Sequence, residues 1–150
     1  MTTITDVQTT QVYQVFIKAT PEAIWDAITK PEFSSRYFYG SEIDSTFVPG
    51  ARYLQWSPGR EQMWVEGEVV ESDPPRRLVH TWLSLWDEEQ GAEQPSRVTW
   101  EIEPGDDGVS LLTVVHDRLE GAPKTAASVS GGWMRILSGL KTLLETGEPL

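Results

Sequence analysis

The last stretch of this chain limits its fold more than any other part. Between residues 126 and 146, apolar side chains recur at Trp133, Ile136, Leu137, Leu140, Leu143 and Leu144. That spacing of three and four places them on one face of an α-helix. Such a helix is roughly 30 Å long, about the width of a small domain, and Gly147-Glu148-Pro149 stops it. Most of the chain before it carries strand signals, and a sheet with one apolar face needs a cover. No other predicted element is long enough to supply one. Gly131, Gly132 and Gly139 weaken the helix by roughly 1 kcal/mol each relative to Ala. They are expected where the helix approaches the sheet closely or leaves room for a ligand.

Residues 9–19 are β-branched and aromatic, which predicts a first strand. Thr20-Pro21-Glu22 opens a helix: Thr20 caps it, Pro21 suits the first turn and Glu22 meets the positive helix end. Ile24, Trp25 and Ile28 share its face, and a second short helix over 31–39 carries Phe33, Tyr37 and Phe38. Strands follow over 51–56, 63–72, 77–86, 97–103 and 109–117, separated by Pro- and Gly-rich turns. Residues 87–95 read as a solvated hairpin connection. The fold class is α+β, with six to seven antiparallel strands curved around the long C-terminal helix. Residues 1–150 read as a single domain with an ordered core of about 9–147.

The charge balance excludes some partners. Twelve Lys and Arg face 23 Asp and Glu, a net charge of −11. Phosphate backbones and anionic membranes repel such a chain, and Arg76-Arg77 is its only basic pair. Nucleic acid and membrane partners are not expected. There is no Cys, hence no disulfide, thiolate nucleophile or Cys-bound metal. Residues 1–6 carry no secretory pattern and no segment is apolar enough to span a bilayer, so the cytoplasm is the expected location.

The order of these elements, with Ala19-Thr20-Pro21-Glu22-Ala23-Ile24-Trp25-Asp26-Ala27-Ile28-Thr29 after the first strand, resembles the START-like (SRPBCC) helix-grip superfamily. Val48-Pro49-Gly50, GEVVESDPP over 67–75, LVHTW over 78–82, His116-Asp117, Gly131-Gly132-Trp133 and LSGLKTLLETGEP over 137–149 narrow the likeness. Within the superfamily the chain is similar to the family named for the activator of heat-shock protein 90 ATPase. The resemblance implies a curved sheet gripping the last helix. It specifies function poorly, because one fold carries many functions. The eukaryotic activators also have a separate N-terminal domain, for which these residues leave no room, so co-chaperone activity is not expected.

Seven Trp are more aromatic area than a core of this size requires, so some rings are expected to line a cavity. The resemblance orients Leu78, His80 and Trp82 inwards from one strand and Leu112, Val114 and His116 from another. Val98, Trp100 and Ile102 lie between them. Trp133, Met134, Leu137 and Leu140 face this wall from the helix, with Phe38 and Trp56 at the mouth. The expected ligand-binding set is therefore Phe38, Trp56, His80, Trp82, Trp100, Val114, His116, Trp133, Met134 and Leu137. Apolar walls with a few polar groups suit a small hydrophobic molecule.

His80 and His116 are the only histidines. Either is a candidate acid–base group, although a neutral, internally bonded imidazole is the commoner state of a His on a strand face. With no close ligand spacing, no metal site is expected, and no cofactor motif or Gly-x-Ser-x-Gly occurs. Arg52 is a weaker candidate for an acidic ligand group. The leading expectation is a non-catalytic binding or carrier domain. The alternatives are a cyclase- or hydrolase-like enzyme using a pocket histidine, and a protein-interaction module, monomeric or homodimeric, without a functional cavity.

Overall fold

The computed structural model describes residues 8–150, and the polar start at 1–6 lies outside them. β1 (Gln11–Ile17) leads to α1 (Pro21–Thr29) and α2 (Pro31–Tyr37). Then come β2 (Glu42–Asp44), β3 (Arg52–Trp56), β4 (Met63–Asp73) and β5 (Arg77–Ser84). α3 (Glu88–Gly91), β6 (Ser96–Pro104), β7 (Ser110–Asp117) and α4 (Pro123–Thr146) complete the order. The strands form one antiparallel seven-stranded sheet in the order β1-β7-β6-β5-β4-β3-β2. β1 and β2 are its two edges, and α1 and α2 carry the chain from one to the other. With α4 against the inner face this is the helix-grip arrangement. No helix among the described residues is long and apolar enough to cross a membrane.

Local chemistry sets the element ends. Thr20 Oγ1 accepts from Ala23 N at 3.1 Å and Pro21 takes the first helical position of α1. α2 ends at Tyr37, two residues before the expected limit, because Tyr39 (φ 54°) and Gly40 (φ 75°) both turn left-handed. Gly147, at φ 81°, caps α4, its N–H donating to Leu143 O at 2.8 Å.

The inner face follows the expected alternation. Leu78, His80 and Trp82, Val98, Trp100 and Ile102, and Leu112, Val114 and His116 are all at most 3% exposed. Val129, Trp133, Ile136, Leu137, Leu140 and Leu143 of α4 pack into the same core.

Three further expectations need correction. α4 begins at Pro123, three residues before the apolar periodicity starts. β5 ends at Ser84, short of Trp86. The segment 87–95 is more than a solvated connection: Asp87 Oδ2 accepts from Gln90 N at 3.2 Å to cap α3, and Gln90 is buried.

Glu93, in the same segment, supplies the N-terminal cap that Ala122 cannot. Its carboxylate accepts from Lys124 N at 2.8 Å, Thr125 N at 2.9 Å and Thr125 Oγ1 at 2.8 Å. Desolvation would raise its pKa, but these bonds outweigh it and hold the carboxyl below its usual range. Glu93→Ala is expected to lower stability by about 1–2 kcal/mol, the scale of a lost cap, as read from the urea midpoint. An unchanged midpoint would mean that water caps α4 as well.

Candidate functional site: an aromatic cavity in the grip

A cavity of about 580 Å³ lies between the N-terminal half of α4 and strands β3 to β5. Phe38, Tyr39 and Ser41, after α2, close one side. Gln55, Trp64, Val65 and Trp82 form the sheet wall, Trp86 stands beyond the end of β5, and Ser128, Val129, Gly132, Trp133 and Ile136 line the helix side. Tyr39 and Trp86, 54% and 41% exposed, bring the cavity to the surface. None of these side chains is charged. The wall is an aromatic cluster, with Trp82 5.9 Å from Trp133 and Phe38 5.8 Å from Trp133 between ring centroids.

Of the expected set, Phe38, Trp82 and Trp133 line this cavity, with Phe38 buried in its wall and not at its mouth. His80, Trp100, Val114, His116 and Leu137 lie behind the wall as core. Met134 is 61% exposed, because it follows Trp133 by one residue and turns past the edge of the apolar stripe. Trp56 belongs to the outer side of the sheet: alternation along β3 buries Tyr53 and Gln55, while the Trp56 indole donates to Asp44 Oδ2 at 3.4 Å. Arg52 is also outside, 3.5 Å from Glu66.

The two histidines sit in register through Val98, His80 on β5 and His116 on β7. Trp100, two residues further along β6, donates its indole N–H to His80 Nε2 at 3.0 Å. The other ring nitrogen, Nδ1, then carries the proton and donates to Thr81 O at 2.9 Å. Tyr53 stacks on this imidazole with centroids 3.6 Å apart.

His116 Nδ1 accepts from the Trp133 indole at 3.0 Å, so its Nε2–H donates to Ser96 Oγ at 2.7 Å. Ser96 in turn donates to Trp82 O at 3.3 Å. Both rings are neutral and fully bonded. Burial lowers His80 to about 4, against the raising effect of its Thr81 bond. Burial, aided by His80, lowers His116 to about 3. These imidazoles orient the cavity-lining Trp133 and the buried Trp100. Neither reaches the cavity as an acid or base.

Tyr39, Ser41, Gln55, Trp64, Val65, Trp86, Ser128, Val129 and Ile136 line the cavity outside the expected set. Strict alternation along β4 puts Trp64 on the outer face with Glu66 and Glu68, and Trp86 closes the strand expected over 77–86. Only the tertiary placement of the segment after β5 brings Trp86 to the cavity. Gly132 does provide room, because a Cβ there would find only Tyr39 Oη, at 3.8 Å. Gly139 serves close approach to α2 instead of to the sheet, with Tyr37 Cβ 3.4 Å from the position of its missing Cβ. No group of His, Cys, Asp and Glu side chains among the described residues could hold a metal.

Residues 18–145 match the family model described as "Activator of Hsp90 ATPase homolog 1-like protein". None of the curated proteins matches the sequence. Among solved structures, MLL2253 from Mesorhizobium loti is 22% identical with a TM-score of 0.74, covering 91% of this chain and 96% of that one. CalU16 from Micromonospora echinospora is 21% identical with a TM-score of 0.73, over 94% and 76% of the two chains. The Aha1 dimer from Colwellia psychrerythraea is 17% identical with a TM-score of 0.72, over 93% and 98%. At these identities the likeness is one of fold.

Proposed function

The chain belongs to the activator of Hsp90 ATPase homolog 1-like family, and on that premise we propose that it binds a small hydrophobic molecule in the cavity between the sheet and α4. One observation carries this reading: the aromatic side chains surround about 580 Å³ of space instead of filling it. That volume lies in the range of small-molecule sites, which are mostly apolar with a few polar groups. Ser41 and Gln55, both buried, supply such groups within the wall. The role is binding or carriage, since the imidazoles that would have served an acid–base mechanism are bonded behind the wall.

The test obstructs the helix side of the cavity without disturbing the core. Gly132→Leu places a side chain into open space and replaces a helix-weakening Gly, so stability should stay level or rise by about 1 kcal/mol. In wild type an apolar naphthalene probe should quench Trp emission and raise the melting temperature, because it selects the folded state. In the variant its affinity should fall by about 100-fold. Equal binding by both proteins would remove the cavity from the function.

A further inference from the structure

The described structure provides hydrogen-bond partners for four of the seven indoles. Trp56 donates to Asp44, Trp82 to Ser84, Trp100 to His80 and Trp133 to His116. Trp25, Trp64 and Trp86 donate to no protein group among the described residues, and the last two line the cavity. Trp64 is half-buried, yet its Nε1 is not sealed off, since Gln90 Oε1 is the sole buried side-chain atom without a partner among the described residues. An indole N–H donates and cannot accept. Two of the indoles that line the cavity thus keep donors without a protein partner among the described residues, on walls that carry no charge, in a protein of net charge −11.

We infer that the ligand is an uncharged, flat apolar molecule bearing hydrogen-bond-acceptor oxygen, and that Trp64 and Trp86 select it by donating to that oxygen. This inference rests on the cavity reading above. Flat rings suit a site walled by Phe38, Trp82 and Trp133, where aromatic faces and edges supply most of the contact. A carboxylate or ammonium group would lose its hydration against walls with no counter-charge, and a carboxylate would also meet the repulsion of the whole protein. A neutral carbonyl loses little hydration and gains an N–H partner, which is worth up to about tenfold in affinity.

Three probes of one ring system separate the contributions: 1-ethylnaphthalene, its near-isostere 1-acetylnaphthalene, and 1-naphthoate. Dissociation constants from titration calorimetry or ligand-observed NMR on wild type should rank acetyl about tenfold tighter than ethyl, with naphthoate weaker than acetyl. In Trp64→Phe and Trp86→Phe the ratio of ethyl to acetyl dissociation constants should fall towards one. Taking the ratio cancels any change in ring packing, and melting curves report whether each variant is folded. Equal binding of ethyl and acetyl to wild type, a ratio unchanged in both variants, or tightest binding of naphthoate would overturn the inference while leaving the cavity reading intact. Failure of all three probes to bind wild type up to their solubility limits would remove the cavity reading, and the inference with it.

Discussion

Gly67→Ala should destabilise the protein by at least about 3 kcal/mol, the upper range for forced overpacking. For a chain of this length that is a drop of about 6–12 °C in Tm. Gly67 lies in β4, where that strand meets β5, and a Cβ there would sit 2.0 Å from Thr81 O and 2.7 Å from its carbonyl carbon. Both are backbone atoms, so no rotamer relieves the clash and the strands must part. The damage spreads, because Thr81 O also accepts from His80 Nδ1 and Thr81 Oγ1 accepts from Glu68 N at 2.8 Å. Thermal melts and urea titration of the variant measure this. A Tm within 2–3 °C of wild type, roughly 1 kcal/mol, would show that β4 and β5 separate at little cost.

Acid should remove several kcal/mol through the two buried histidines. Their folded values, about 4 for His80 and about 3 for His116, lie below the unfolded value near 6.5. Below pH 6.5 the unfolded chain therefore binds more protons than the folded one. Stability is fully present above about pH 6.5, falls as the pH drops, and stops falling for each ring once its folded value is passed. Between pH 7.5 and 5 the loss is about 2 kcal/mol for each ring. The structural reason is direct: a protonated His80 or His116 would turn an N–H towards the indole N–H of Trp100 or Trp133 and lose the bond.

His116→Gln retains a donor and an acceptor but does not titrate, so its loss over this range should be smaller than that of wild type by about 2 kcal/mol. Relief of the net negative charge acts on both proteins alike and cancels in the comparison. Parallel urea midpoints for the two proteins across the range would place the protonation of His116 elsewhere.

Much of the architecture is legible because it rests on local periodicity and local chemistry. Thr20, Pro21 and Gly147 mark helix ends through bonds made within a few residues. The alternation of Val98, Trp100 and Ile102 gives β6 its buried face whatever the strand pairs with. The family resemblance of the first helix and the last thirteen or so residues adds the topology, which the family match supports. Phe38, Trp82 and Trp133 at the cavity follow from the same two sources.

What the sequence by itself determined, then, is the main helices and strands to within a few residues, without the short β2 and α3, and, for most strands, which side faces α4. Three things came only from the tertiary structure. The first is the cavity's position over β3 to β5 and the N-terminal half of α4, which left His80, Trp100, Val114, His116 and Leu137 behind the wall. The second is the entry of Trp64 and Trp86 into that wall and the exclusion of Met134 and Trp56. The third is the cap of α4 by Glu93, 31 and 32 residues upstream of its partners. Each depends on where one element's end comes to rest against another. That position follows from packing over the whole sheet, including the register shifts of β4 against β3 and β5, and a shift of one residue exchanges the faces of a strand.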